Sequence, residues 1–485
     1  MSHFRHWAAA TSVALLTMTG GLAGLGGPAH ASTKSLSPEG GGVPTTKTDP
    51  SQYKNCQEPP GDSLWQTAKG DEVGLDDAAL QKASDFYRDN LQATMRVYRF
   101  NCLVKTGAFD AVEERVPAHM FSTTKPTMTL VAGRAIQLGL LSVDDTIGKY
   151  FPDRGDEAHR AITVKQLLQH TSGVYKNWTQ DLNDNIPDSV RYFMDLKIVH
   201  PPGTWYEYSQ VGCNMMSAVV EKAVGMKFQE FAQKEVFDKI GILPGTYFWQ
   251  RDRQGWTYGY SELYLRPIDM VRLGTLERQG GVYRGERLIS EQFIKDMATG
   301  SAENPGFGYN TWINAAPYYV SVAINQRQVE QRPIIASAPH DMYFSWGWRG
   351  RHIFVMPNLG MVVTVTPVAA QVPTPGRATT FLNGYPGQGI GSGPGAQMDG
   401  HQAGQAELNK GYHDYFRILM SSVKDQKVPD PGEWDQPDDN NFDPNLFIGD
   451  PSGTVAENHF ENTTDNSSAD YVNDPAVYAK AISTK

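Results

Sequence analysis

Phe121-Ser122-Thr123-Thr124-Lys125-Pro126 opens a run that keeps helical spacing as far as Gly139, with Met128, Val131, Ala132, Ala135 and Leu138 on one face. Proline lacks an N–H and is tolerated only in a helix's first turn, so Pro126 sets the helix start close to Ser122. A spacing of three then puts Ser122 and Lys125 on the same face. A serine hydroxyl is a weak nucleophile until a base takes its proton, and a lysine becomes that base when burial or nearby positive charge lowers its pKa. The positive end of the helix favours negative charge developing at the same place. Ser and Lys three apart also occur by chance, as an N-cap serine beside a solvated lysine, so the rest of the chain decides between the two readings.

Around this helix the periodicity alternates in kind. Residues 78–91 read as a helix and 94–104 as a strand; helical stretches recur at 164–170, 189–197, 213–224 and 227–238. From 306 onward the period falls to two, and 306–314, 318–325, 342–356 and 361–367 read as consecutive antiparallel strands, with Pro357-Asn358-Leu359-Gly360 as a hairpin turn. Residues 369–411 hold ten Gly and no useful period, which marks an irregular insertion, and 412–423 form an amphipathic closing helix. The expected fold is α/β: an antiparallel sheet flanked by helices, with an inserted helical region. No internal repeat is evident.

The 485 residues are 40% hydrophobic, with 43 Lys+Arg against 53 Asp+Glu and three Cys. That composition suits a chain with a large core and excludes a disulfide miniprotein or a disordered chain. A net charge of −10 offers no broad cationic surface, which argues against nucleic acid or anionic lipid as partner. Arg5, an apolar run to Met18 and Ala29-His30-Ala31 fit a secretory signal over 1–31; the run is too short for a membrane anchor. Cleavage near Ala31 would release the chain outside the cell or into the periplasm. Residues 32–74 are expected as a linker or arm, 75–427 as the folded domain and 428–485 as an acidic tail. The Asp/Asn cluster at 435–443 could hold calcium, but it lacks the spacing of an EF-hand and reads better as a solvated tail. A Cys56–Cys102 bond would pin the arm to the first strand, leaving Cys213 as a buried or a reactive thiol.

The helix-head motif keeps company that resembles a known family. Ser122-Thr-Thr-Lys125, Leu140-Leu-Ser-Val-Asp144-Asp145, Ile162-Thr-Val-Lys-Gln-Leu-Leu-Gln-His170-Thr-Ser-Gly173, Pro202-Gly203-Thr204-Trp-Tyr-Glu-Tyr208-Ser209, the run Gly259 to Gly274 and Ile353-Phe-Val-Met-Pro357 follow in order. The chain is similar to the penicillin-recognising serine hydrolases, on the branch of class C β-lactamases, esterases and 6-aminohexanoate-dimer hydrolases. The resemblance spans about 95 to 367 and the closing helix, and implies a β-lactamase/DD-peptidase-like fold. It implies Ser122 as nucleophile, Lys125 as base and Tyr208 as the phenol that carries the proton to the leaving group. Gln210 stands where the family has Asn. Lys105-Thr106-Gly107 has the letters of the family's third motif but lies before Ser122, so it reads as a turn. The matching triplet is Ser345-Trp346-Gly347, which lacks a cation; Arg349 or Arg351 would substitute, or else merely flank strands. The N–H groups of Ser122 and Trp348 would form the oxyanion hole. His170 falls on a helix-end motif with a structural role, and His119 lies on the wrong side of the helix start for an obvious one.

The expected function is a secreted serine hydrolase acting on small esters or linear amides, without metal or organic cofactor. A D-Ala-D-Ala peptidase or β-lactamase is the alternative on the same fold, and a non-catalytic binding protein the alternative of another class.

Overall fold

In the computed structural model the chain divides into Met1–Leu36 and Ser37–Lys485, and every described residue lies in the second part. The structure describes residues 40–434, apart from 92, 108–109, 111–113, 177–180, 182–185, 323–328, 348–349, 368–378, 381–384 and 387–403. The signal segment, Trp348, Arg349, most of the Gly-rich insertion and the tail from 435 lie outside the described residues. The elements that matter are α1 (Asp77–Leu91), β1 (Ala93–Arg99), β2 (Cys102–Thr106), α2 (Thr124–Gln137), α3 (Gln210–Val224), α4 (Pro267–Arg278), β3 (Trp312–Ile313), β4 (Tyr343–Gly347), β5 (Arg351–Met356), β6 (Met361–Pro367) and α5 (Gly404–Ser421).

The six strands form one antiparallel sheet in the order β2-β1-β6-β5-β4-β3. The hairpin at 357–360 pins its centre, setting Met356 opposite Met361. Gly360 is required there: its φ is +63°, and a Cβ would come 2.4 Å from the Phe100 ring. Alternation along the strands separates two cores. Ile353, Val355 and Val362 face α2, α3 and α4, whereas Phe354, Met356, Val363 and Val365 face α1 and α5, where Tyr87, Tyr412, Tyr415 and Phe416 pack ring against ring. Each such side chain fully buried contributes roughly 1.5–3 kcal/mol, so the sheet is held rigidly from both sides. This α/β fold is the one expected.

Several boundaries differ from expectation. The strand read over 94–104 is two strands, because Phe100 and Asn101 turn the chain with φ of 49° and 63° without a glycine to announce it. The strand read over 342–356 is likewise β4 and β5. The stretch 306–314 contributes only β3, since the Asn304 and Asn314 side chains take up backbone groups that a longer ladder would use. Among the described residues of 318–325, Tyr319–Val320 is strand, paired with Val329–Glu330. The closing helix starts at Gly404, eight residues early.

Residues 40–74 are no free linker. Val43 bridges to Pro339, Thr45 donates to Asp341 at 2.9 Å, Thr48 to Asp425 at 2.7 Å, and Trp65 enters the core at 5% exposure. Hydroxyl-to-carboxylate bonds hold this segment where apolar residues are few. The Cys56–Cys102 disulfide closes it onto β2, and Arg99 joins arm, sheet and C-terminal segment by donating to Val73 O, Gly74 O, Leu359 O and Asp425. Past α5, Arg417 pairs with Asp430 and His413 with Gly432 O, so packing continues to 434 and the folded body outlasts 427.

Candidate active site

Phe121–Thr123 is a tight 3-10 turn that leads directly into α2. Phe121 is held at φ +47°, a conformation that non-glycine residues keep only where the surroundings hold them. The surroundings here are the C-terminal end of β4 and the start of β5. Thr123 Oγ1 donates to Arg351 O at 2.7 Å and accepts from the Ser345 hydroxyl at 3.2 Å, and Met120 N donates to Leu263 O. The turn is clamped to the sheet on one side, and Ser122, on its outer side, stays partly exposed.

One turn on, Lys125 is 1% exposed. Its Nζ lies 3.0 Å from Ser122 Oγ and donates to Tyr260 O at 2.9 Å, over the rings of Tyr208 at 4.6 Å and Tyr260 at 5.6 Å. Burial lowers its pKa from 10.5 to about 7, with Cys213 opposing weakly. A neutral amine that gives one N–H to a fixed carbonyl has its lone pair free to accept the Ser122 proton. Burial pushes the Tyr208 phenol well above its ordinary value, against the hydrogen bond it makes with Ser122, so it stays protonated at neutral pH and can donate. Ser122, Lys125 and Tyr208 are thus brought together, with a base and an acid on one hydroxyl. Tyr260 was missed by sequence reasoning as a partner: it acts through its carbonyl, which no side-chain pattern reveals.

The other predicted residues fall out differently. Gln210 is the first residue of α3; it is buried, and its Oε1 has no hydrogen-bond partner among the described residues. Ser345 points toward the nucleophile turn, but its Oγ is taken up by Thr123 and by the Ile353 N–H at 2.9 Å. Trp346, on the opposite face, packs on His352 at 5.0 Å and Tyr412 at 5.1 Å, in the other core. Gly347 is where the strand touches the turn: a Cβ there would lie 2.5 Å from Met120 O. Arg351 shares Ser345's side of the sheet and sets its guanidinium 5.0 Å from the Phe121 ring centroid. The oxyanion donor expected at Trp348, and Arg349, lie outside the described residues. His119 packs at a tilt against Phe121 behind the turn, with Nε2 3.3 Å from a buried Glu262 carboxylate.

Around Tyr208 lies a polar cluster. His170 Nε2 is 2.7 Å from Asn310 Oδ1, and Cys213 Sγ is 3.3 Å from both. Burial first, then the Lys125 charge, press His170 down to about 3, and burial pushes the Cys213 thiol up to about 12. Cys213 is therefore a buried thiol rather than a reactive one. No group of three or more His, Cys, Asp or Glu among the described residues is placed to hold a metal ion, and no helix among them is long and apolar enough to cross a membrane.

The chain is similar to several known proteins. The lovastatin esterase of Penicillium rubens is 27% identical over 27% of this chain and 39% of its own length. Penicillin-binding protein 4* of Bacillus subtilis is 25% identical over 38% of this chain and 47% of its own length, so the chain spans less than half of either relative. A crystal structure of a penicillin-binding protein from Bacillus halodurans is 18% identical, with a TM-score of 0.42 over 59% of this chain and 94% of that one. The Beta-lactamase family model matches residues 95–378. That span is more than half of the sequence and contains Ser122, Lys125 and Tyr208, and the chain belongs to the Beta-lactamase family.

Proposed function

We propose that the chain is an exported serine hydrolase that forms an acyl-enzyme on Ser122 and acts on small esters or linear amides. The carrying observation is the buried Lys125 amine 3.0 Å from Ser122 Oγ, brought by desolvation to about 7. Lys125 takes the Ser122 proton as Oγ bonds to the substrate's carbonyl carbon. The carbon–oxygen or carbon–nitrogen bond then breaks, and the leaving group takes a proton from Tyr208, which is refilled from Lys125. Water adds to the acyl-enzyme with the same groups as base and acid, releasing the carboxylic acid and restoring Ser122. Export is supported by the leader-like composition of 1–31 and by the Cys56–Cys102 bond, which suits an oxidising compartment.

Preference for uncharged esters and amides rests on the Ser345-Trp346-Gly347 triplet. Its serine is committed to Thr123 and Ile353, and it carries no cation for a substrate carboxylate. A cell-wall peptidase or β-lactamase remains the second reading: one relative is named a penicillin-binding protein, and Arg351 lies on the same side of the sheet. The test is turnover of a short-chain aryl ester, a linear amide and benzylpenicillin by the protein and by Ser122→Ala. Ester and amide hydrolysis that vanishes in Ser122→Ala, with benzylpenicillin untouched, is the expected result. Ser122-dependent consumption of benzylpenicillin gives the second reading. Silence toward all three makes the chain a binder on this fold.

A further inference from the structure

Tyr208 and Lys125 come from different segments, and their separation has to be set by something that joins those segments. His170 reaches both. Its carbonyl accepts the Glu207 N–H at 3.1 Å, and its Nδ1 accepts the Ser209 N–H at 3.0 Å, so one residue grips the chain on either side of Tyr208. Its Nε2–H donates to Asn310 Oδ1 at 2.7 Å; Asn310 Nδ2 donates to Thr129 Oγ1 at 3.0 Å, and Thr129 Oγ1 to Lys125 O at 3.0 Å. This chain of bonds runs from the backbone beside Tyr208 to the backbone of Lys125 through buried groups. His170 and Asn310 both sit in the left-handed region, at φ 59° and 55°, a conformation that persists only where the surroundings hold it. The Tyr208 ring packs edge-on against His170 at 5.0 Å, which completes the grip.

We propose that His170 is a positioning residue of the reaction: as a neutral imidazole with its proton on Nε2, it fixes Tyr208 against Ser122 and Lys125 through the link His170–Asn310–Thr129. The tautomer follows from the partners, since Nδ1 faces an N–H and can only accept. Burial first keeps it neutral, and any positive charge carried by Lys125 or Lys176 opposes a second one beside it; the Cys213 thiol is un-ionised, and the Tyr208 and Tyr206 phenols are held protonated by burial. His170 touches no substrate in this arrangement; it acts through the backbone of 207–209.

The inference rests on the acyl-enzyme reading, and two variants separate the two claims. His170→Asn keeps an acceptor where Nδ1 stood and tolerates the left-handed backbone, but lacks the Nε2–H that reaches Asn310. His170→Gln keeps a polar group near Asn310 but leaves the Ser209 N–H without its acceptor. The assay is the single-turnover rate of Ser122 acylation by an aryl ester, per folded molecule counted by active-site titration, alongside steady-state kcat and KM. His170→Asn is expected to lose about tenfold in acylation and kcat, because the link to Asn310 is cut while the grip on Ser209 is kept; His170→Gln is expected to lose about 100-fold, and in both KM changes less than about threefold, as with a misplaced proton donor. If His170→Gln fails to fold, Thr129→Val cuts the same link from the Lys125 side and is expected to lose about tenfold, restored by Thr129→Ser. Acylation by His170→Gln or Thr129→Val at the parental rate, or equal losses in His170→Asn and His170→Gln, overturns the positioning role while leaving the acyl-enzyme intact. A parent protein that is never acylated on Ser122 overturns both.

Discussion

Replacing Lys125 by Met removes the buried amine and keeps most of its length, which turns the proposed base into a stability measurement. Burial lowers the lysine from 10.5 to about 7, and each unit is worth about 1.4 kcal/mol of preference for the neutral form. Between about pH 7 and 10.5 the unfolded chain holds a proton that the folded protein does not, so this lysine makes stability rise with pH across that window. Near pH 6 both states hold the proton and the folded protein bears nearly the full penalty, about 5 kcal/mol; near pH 10 about 1 kcal/mol is left. Losing the bond to Tyr260 O costs Lys125→Met about 1 kcal/mol at any pH and cancels from the comparison. The variant is therefore expected to gain about 4 kcal/mol more, relative to the parent, at pH 6 than at pH 10, as read from paired urea unfolding curves. It is also expected to lose acylation altogether. In the parent, acylation should fall about tenfold per pH unit below 7 as the amine becomes protonated. A stability difference that stays constant within about 1 kcal/mol from pH 6 to 10 would mean that Lys125 keeps an ordinary lysine pKa, and the base assignment would fail.

Other consequences are open to direct test. Glu277, buried in α4, is pushed from 4.5 to about 8 by burial; the folded protein then holds a proton that the unfolded chain has lost between those values, and stability falls as pH rises through them. Glu277→Gln should accordingly stabilise by about 4 kcal/mol more at pH 9 than at pH 5, and equal unfolding midpoints shifts at the two pH values would refute it. Gly347→Ala sets a methyl against Met120 O and Arg351 O, at 2.5 and 2.7 Å, and so displaces the nucleophile turn; kcat should drop by at least about tenfold, and unchanged kcat would show that the turn does not lean on β4. Opening the Cys56–Cys102 bond with a Cys56→Ser, Cys102→Ser pair releases a loop with a sequence separation of 46 and should cost about 4 kcal/mol, measured in denaturant, with the acylation rate of the folded fraction unchanged.

What the sequence reveals about this site follows from how local each signal is. Pro126 sits two residues inside α2, so the place of Ser122 and Lys125 at the helix head was legible from one proline and a spacing of three. The order of short motifs from Ser122 to Pro357 carried the fold through the resemblance to the penicillin-recognising serine hydrolases. The hairpin turn at Phe100-Asn101 was hidden, since left-handed backbone without glycine leaves no compositional mark. Strand alternation puts Ser345 and Trp346 on opposite faces, but only the contact with Thr123, from far upstream, decides which one faces Ser122. His170 drew notice as an ionisable residue and was read as structural. Its partner Asn310 lies 140 residues away, so their bond and its reach to Lys125 are properties of the folded chain alone. The arm at 40–74 looked like linker because its anchors are hydroxyls and one disulfide rather than an apolar face.

The account stands most directly on one covalent bond. Brief exposure of the protein to an activated short-chain acyl ester, followed by acid quench, intact mass and peptide mapping, should find one acyl group on Ser122. Ser122→Ala should carry none, and Lys125→Met should carry none on the same time scale. A stable adduct on another residue, or a parent that turns the ester over without ever carrying the group on Ser122, would contradict it.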